Sequence, residues 1–244
     1  MVFDFFFKQE KVCLPFETDM HCHLVPGVDD GSPNIETSIS LLEQMIDMGF
    51  KRIFISPHVT QDTFENTPET LDEPMAQLQA EAQRRGLPVE LHRHAEYRID
   101  DFFLQQKKND RLTVLPGNYI LLENPFSQEP YQLESMLFDV KMSGFIPIMA
   151  HPERYKYYSV TNPERYNRLH DFGVLFQLNM LSLAGRYGRV ERNTALELLE
   201  CGMVEFIGTD IHGQSHTKLL KEYLSSRTFR RDAKLMTKLR NDEI

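Results

Sequence analysis

Thr18-Asp19-Met20-His21-Cys22-His23-Leu24-Val25-Pro26-Gly27-Val28-Asp29-Asp30-Gly31 is the stretch on which the fold of this chain turns. His21 and His23 stand two apart, and on an extended strand that spacing points both imidazoles to one face. The run that follows turns through Pro26 and Gly27 and carries two carboxylates, Asp29 and Asp30. Neutral imidazole and carboxylate are ligands that borderline divalent cations such as zinc, manganese and iron accept. A lone His-x-His is a weak signal. The same residue types recur at the ends of later strands, and that recurrence strengthens it.

Working outward, the pattern alternates between strand and helix. The first strand spans about 16–21. Ser32-Pro33 reads as an N-cap and first helical position, and Ile35, Ile39, Leu42, Met45 and Ile46 follow at helical spacing, closed by Gly49. A buried-type strand over 51–58 ends in His58. Thr67-Pro68 opens a second helix that ends at Gly86, with Pro74 as a candidate break. A strand over 89–96 leads to a short helix near 100–108, and a strand over 119–123 to a helix near 130–143. A strand over 145–151 leads to a helix near 162–172, opened by Asn162-Pro163. A strand over 174–179 precedes a helix near 191–201, and the last strand, 204–210, is followed by terminal helices. Continuous apolar strands alternating with helices predict an α/β fold with a parallel sheet covered by helices. Seven such strands without a Pro/Ser-rich linker predict one closed or nearly closed barrel over residues 16–244. Residues 1–15, with Phe3, Phe5 and Phe7 alternating, form a lead-in that covers part of the barrel.

Composition sets the outer limits. At 244 residues the chain has the length of one α/β barrel, and 41% hydrophobic residues suffice for a large core. Three cysteines without a pairing pattern suggest a reducing compartment, hence a cytoplasmic protein. No apolar run approaches the roughly 18 residues that cross a membrane. A net charge of −9 argues against a nucleic-acid partner.

His21 and His23, His58, Glu96, Glu123, His151, and Asp210 with His212 all fall at or just beyond predicted strand C-termini. In a barrel of parallel strands those ends converge on one face, where active sites sit. A merely hydrated rim would mix in Lys, Asn, Ser and Thr. Here six of the seven strand ends carry His, Asp or Glu, so a metal-binding cup is the stronger reading. Histidines 92, 94, 170 and 216 read more simply as solvated or hydrogen-bonded side chains.

The blocks Asp19-Met20-His21-Cys22-His23, Asp29-Asp30-Gly31, Pro57-His58, Ala95-Glu96, Leu122-Glu123, Ala150-His151-Pro152-Glu153-Arg154-Tyr155 and Thr209-Asp210-Ile211-His212 together resemble the polymerase-and-histidinol-phosphatase (PHP) family. More narrowly, they resemble its bacterial protein-tyrosine phosphatases of capsule and exopolysaccharide export systems. The resemblance implies a distorted (β/α)7, TIM-like barrel holding three divalent ions, manganese first, with iron, zinc or magnesium as alternatives. It implies that His21, His23 and Asp210 hold the first ion and that Glu96 bridges it to a second, completed by Glu123 and His151. Asp30, His58 and His212 would hold the third, and Arg154 would bind phosphate, with Asp210 and His212 sharing the catalytic work. The implied substrate is phosphotyrosine on a partner kinase of polysaccharide export. His94-Ala95 stands where Gly-Ala is expected, and Gly213-Gln214-Ser215-His216 lacks an arginine found in some relatives.

The expected chemistry is phosphomonoester hydrolysis by metal-bound hydroxide. A cysteine phosphatase needs an arginine six residues after its thiol, and Cys13, Cys22 and Cys201 are followed there by Asp19, Val28 and Ile207. An amidohydrolase would want a ligand lysine on a middle strand, where Glu123 stands. Two alternatives stay open: hydrolysis of histidinol phosphate or another small phosphate ester, and a non-catalytic metal-binding scaffold.

Overall fold

A computed structural model describes residues 14–159 and 164–244. Most of the expected lead-in, with Phe3, Phe5 and Phe7, lies outside the described residues, as do Cys13 and Asn162-Pro163. In chain order the described elements are β1 (Thr18–Asp19), α1 (Ile35–Met48), β2 (Arg52–Ile55), β3 (His58–Val59), α2 (Pro68–Arg84), β4 (Glu90–Arg93), β5 (Glu96–Arg98), α3 (Asp101–Lys108), β6 (Tyr119–Glu123) and α4 (Leu133–Met142). There follow β7 (Ile146–Ala150), α5 (Lys156–Ser159), α6 (Glu164–Asp171), β8 (Leu175–Asn179), α7 (Met180–Leu183), α8 (Arg189–Glu200), β9 (Phe206–Gly208), α9 (Gln214–Leu224) and α10 (Arg227–Asp232).

Every named strand pair is parallel, as the apolar strand pattern predicts. The strands form two sheets, β1-β2-β4 and β3-β5-β6-β7-β8-β9. The split has a local cause. The expected strands over 51–58 and 89–96 each break in the middle, at Ser56-Pro57 and His94-Ala95. Pro57 has no N–H to give a ladder, and Ser56 turns its N–H to the Cys22 carbonyl at 2.8 Å. Single hydrogen bonds still carry the pairing across the break, from His94 N to Ile55 O and from Glu96 N to Pro57 O.

Helix ends follow the sequence cues with one shift. Thr67 caps α2 with Pro68 behind it, and Pro74 sits inside the helix without splitting it. Gly49 closes α1 at φ 109°, a conformation that costs glycine little. The N-cap of α1 is Asn34 rather than Ser32, because its side chain accepts from Thr37 N at 2.9 Å.

Alternation along the strands divides the core in two. On β6, Leu121 faces one cluster while Ile120 and Leu122 face the other; on β7, Ile148 and Ala150 oppose Met149. The smaller cluster joins Met20, Phe54, Leu121, Ile148 and Phe206, so residues of both sheets share it. Ile244 packs into the same cluster.

Residues 240–244 hold β1 and β9 together. Fully buried Asn241 donates to Thr18 O at 3.0 Å and Ile207 O at 2.7 Å, and accepts from Ile207 N at 3.0 Å. Asp242 accepts from Glu17 N at 3.0 Å. An Asn241→Ala variant leaves three buried backbone groups unpaired and is expected to lose about 3 kcal/mol of stability in urea unfolding, since each such group costs roughly 1–3 kcal/mol. A loss below about 1 kcal/mol would mean that water replaces the amide.

Candidate metal centre

The short β1 hands over to an extended segment that runs beside the end of β9. Asp210 N donates to His21 O at 2.8 Å and His23 N donates to Ile211 O at 3.0 Å. This alignment puts His21 and His23, both fully buried, on one side, and their Nε2 atoms lie 3.2 Å apart. Asp19 locks the junction by accepting from Thr209 N at 3.0 Å and Thr209 Oγ1 at 2.6 Å.

Glu96, at the start of β5, lies at the centre of the cup. Its Oε2 is 3.0 Å from His58 Nδ1, 3.3 Å from His21 Nε2 and 3.5 Å from His23 Nε2, while Oε1 is 3.0 Å from His151 Nε2. Glu123, ending β6, approaches His151 Nε2 at 3.5 Å. Asp210 Oδ1 is 3.3 Å from His23 Nε2 and 3.5 Å from His21 Nε2. Asp30, more than half exposed, completes the rim, its Oδ1 3.5 Å from His58 Nε2 and 3.4 Å from His212 Nε2. All nine residues expected to hold metal therefore converge. Two of them, His151 at φ 34° and Asp210 at φ 51°, hold a left-handed backbone that non-glycine residues adopt at a cost.

Arg154 leans over this cup. Its Nη1 donates to Asp210 Oδ2 at 3.0 Å, and its guanidinium lies 4.7 Å from the centre of the Phe126 ring and 4.1 Å from that of Tyr187.

The electrostatics are those of a cage of opposed charges. Burial alone would lower the pKa of His21, but the fields of Glu96 and Asp210 raise it to about 9. His58 is likewise raised to about 10, with Glu96 overcoming burial. Burial would lift Glu96 and Asp210, yet the surrounding imidazoles hold both well below the usual carboxylate range. Burial and the nearby Glu96 charge push Glu123 up to about 8. Burial with help from Arg154 takes His151 down to about 4.

The donor set suits cations. His21 Nδ1 faces Gln177 Oε1 at 2.8 Å, and that amide is oriented by its nitrogen donating to Leu178 O at 2.6 Å. His23 Nδ1 faces Asp29 Oδ2 at 2.9 Å. Both Nδ1 atoms are thus hydrogen-bond donors, which leaves two Nε2 lone pairs pointing at one another in the neutral rings. Buried Glu96 Oε2 receives no hydrogen bond despite its three imidazole neighbours. Four triplets bring ligand atoms within 4.8 Å of one another: His23/His58/His212, His21/His23/Glu96, His21/His151/Asp210 and His58/Glu96/Glu123.

Supporting residues steady these ligands, and two of them, Gln177 and Asn179, carry no signal in the sequence. Gln177 and Asp29 orient the two leading histidines. Asn179 donates to Asp210 Oδ2 at 2.5 Å, and buried Glu153 accepts from Asn179 N at 3.0 Å. Asp29 stands in the sequence as one of the two carboxylates of the loop after the first strand, whereas an amide on a strand's inner face gives no such sign. The remaining histidines have structural partners, as the simpler reading held. His94 bonds to Met20 O at 2.9 Å, His92 stacks on Phe54, His170 pairs with Glu205, and His216 accepts from His212 N at 3.2 Å.

Parallel strands delivering five histidines and four carboxylates to one cup define an α/β protein with a candidate divalent-metal centre. The chain belongs to the CpsB/CapC family of capsular polysaccharide synthesis, whose model matches residues 17–233. It is similar to the tyrosine-protein phosphatase YwqE of Bacillus subtilis, 30% identical over 195 residues that cover 80% of this chain and 76% of the relative. It is also similar to the tyrosine-protein phosphatase CpsB of Streptococcus pneumoniae, 27% identical over 200 residues, covering 80% and 82%. A solved structure from work on YwqE and CpsB, described as unique metal-dependent tyrosine phosphatases, superposes with a TM-score of 0.77 at 28% identity, covering 92% of this chain and 94% of the other. An amidohydrolase from Mycoplasma synoviae shares the fold alone, at a TM-score of 0.57 and 14% identity. The expected kinship with capsule-system tyrosine phosphatases is therefore borne out.

Gly208 lies against the cup. A Cβ there would sit 2.5 Å from His21 Cβ and 2.8 Å from Gln177 Nε2. Gly208→Ala is expected to lower stability by about 1–3 kcal/mol, the usual cost of overpacking, measured by thermal unfolding. An unchanged melting temperature would mean that β9 can shift freely.

Proposed function

We propose that this protein is a metal-dependent phosphomonoester hydrolase acting on phosphotyrosine. The orphaned Oε2 of the fully buried Glu96, amid four imidazoles, is the observation that carries the reading. The partition we infer has His21, His23 and Asp210 holding one ion and Glu96 bridging to a second with Glu123 and His151. Asp30, His58 and His212 hold a third. Manganese is our first choice, though iron, zinc and magnesium suit the same ligands. The finer architecture belongs to the same proposal: one (β/α)7 barrel over residues 16–244, supported by the hydrogen bonds joining residues 21–23 to 210–211.

Bound divalent ions neutralise charge on phosphoryl oxygens and lower the pKa of water toward about 7, making hydroxide available near neutral pH. Arg154 offers the planar fork of donors that matches a phosphoryl group. Asp210 holds that fork through Nη1, while Phe126 and Tyr187 fix its plane, so its other donors are free to grip substrate oxygens. His212, at the rim, shares Asp30 with His58 and closes the cup beside the phosphoryl position. A tyrosine phenolate leaves readily, its conjugate acid having a pKa near 10. The relatives named as tyrosine-protein phosphatases and the family's capsular role support a partner tyrosine kinase of polysaccharide export as substrate; three cysteines without a pairing pattern support a cytoplasmic location. No helix among the described residues is long and apolar enough to cross a membrane.

A chelator is expected to abolish hydrolysis of a phosphotyrosine peptide and added manganese to restore it, with histidinol phosphate hydrolysed far more slowly. Activity that survives chelation would overturn the reading, and a metal-loaded protein inert to both substrates would favour a scaffold. Arg154→Ala should lower kcat/KM roughly 10–100-fold, the worth of hydrogen bonds to a charged group, without loss of metal. Equal loss of metal would reassign the arginine.

Loading should also release protons. Groups with raised pKa are protonated below that value: His21 at about 9, His58 at about 10 and Glu123 at about 8 all carry protons at pH 7 in the ion-free cup. Cations compete with those protons, so affinity should rise from pH 7 to 9. Calorimetry in buffers of different ionisation enthalpy measures the release. Loading without proton release would contradict this electrostatic picture.

A further inference from the structure

We propose that Phe126 is the specificity-determining platform of the site, stacking on the aromatic ring of the phosphorylated tyrosine; this rests on the phosphatase reading above. Phe126 follows Glu123-Asn124-Pro125 on the loop after β6 and is 45% exposed, beside His151 at 1%. Its ring lies parallel to that of His151, with centroids 5.7 Å apart and planes inclined by 15°. The Arg154 guanidinium lies 4.7 Å from the ring centre. His151, Arg154 and Tyr155 cover part of this large apolar ring, and the rest is left open at the mouth of an otherwise polar cup.

The loop that carries Phe126 is fixed in advance. Asn124 N donates to Tyr155 Oη at 2.9 Å, and Asn124 Nδ2 donates to Tyr158 Oη at 3.0 Å. Tyr157 Oη donates to Pro125 O at 3.0 Å, and the Tyr155 ring packs 5.6 Å from Phe126. A ring held this way loses little freedom on binding, which favours affinity. A phosphoryl group gripped by Arg154 brings the aryl ring, one ester oxygen away, alongside Phe126. Aromatic pairs attract at centroid separations of roughly 4.5–7 Å. Serine or threonine esters have no such face to offer, so selectivity for tyrosine comes from this loop and affinity for phosphate from Arg154.

Non-hydrolysable probes separate the two. Benzylphosphonate and methylphosphonate share the anionic head and differ in the aryl ring, and calorimetry on the manganese-loaded protein reads both without turnover. The wild type should prefer benzylphosphonate about ten-fold. Phe126→Leu should abolish that preference by weakening benzylphosphonate, with metal content and melting temperature unchanged and any loss of methylphosphonate affinity smaller, because Asp210 and Tyr187 still hold the guanidinium; Phe126→Tyr should retain the preference. A preference that survives in Phe126→Leu, a wild type without preference, or equal loss of both ligands would each overturn the proposal; equal loss would make Phe126 a support for Arg154. Failure of the phosphatase reading registers separately, as absence of aryl phosphate hydrolysis by the wild type.

Discussion

A carboxylate with no exposure to water and one oxygen without a hydrogen bond is the constraint on which the rest of the molecule depends. Removing such a group from solvent costs several kcal/mol unless opposite charge surrounds it. Glu96 meets that demand with His21, His23, His58 and His151, drawn from three separate stretches of chain at strand ends. Three of those imidazoles are fully buried and His58 is partly so, and the fields that raise His21 and His58 are the same ones that depress Glu96. The cage is internally compensated only while it binds protons or cations.

The fold serves that constraint from both ends. Above, the extended segment after β1 aligns with the end of β9, and Asp19 pins Thr209 so that Asp210 faces the histidines. The strained backbones of His151 and Asp210, each costing about 1–3 kcal/mol, are tolerated because neighbouring strands overdetermine them. Below, Asn241 stitches β1 to β9 at their other ends. Gln177 and Asp29 then choose the tautomers, turning both Nε2 atoms inward. Arg154 belongs to the same construction, since it shares Asp210 with the cage and its guanidinium lies over two aromatic rings.

Much of this was legible in the chain. His, Asp and Glu at successive strand ends foretold a cup, because parallel strands must bring those ends together. Thr67-Pro68 and Gly49 marked helix ends through their own backbone chemistry. Other features needed three dimensions. Pro57 hints at the break beside it, but Ser56 bonding to the distant Cys22 carbonyl is something no local pattern reveals. Asn34 displaced Ser32 as a cap because only its side chain reaches Thr37 N. The four-residue helices α5 and α7 are too short for periodicity to register. Gln177 and Asn179 look like ordinary strand residues until the side chains they steady are in view.

The central claim is that this cage exists to hold ions. Its most direct test is an anomalous difference map from crystals soaked in manganese, recorded above and below the metal edge. The account predicts separate peaks around Glu96, bounded by His21, His23, His58, His151 and Asp210 at coordination distance. A map without anomalous signal inside the cage, at manganese concentrations that support hydrolysis, would contradict it.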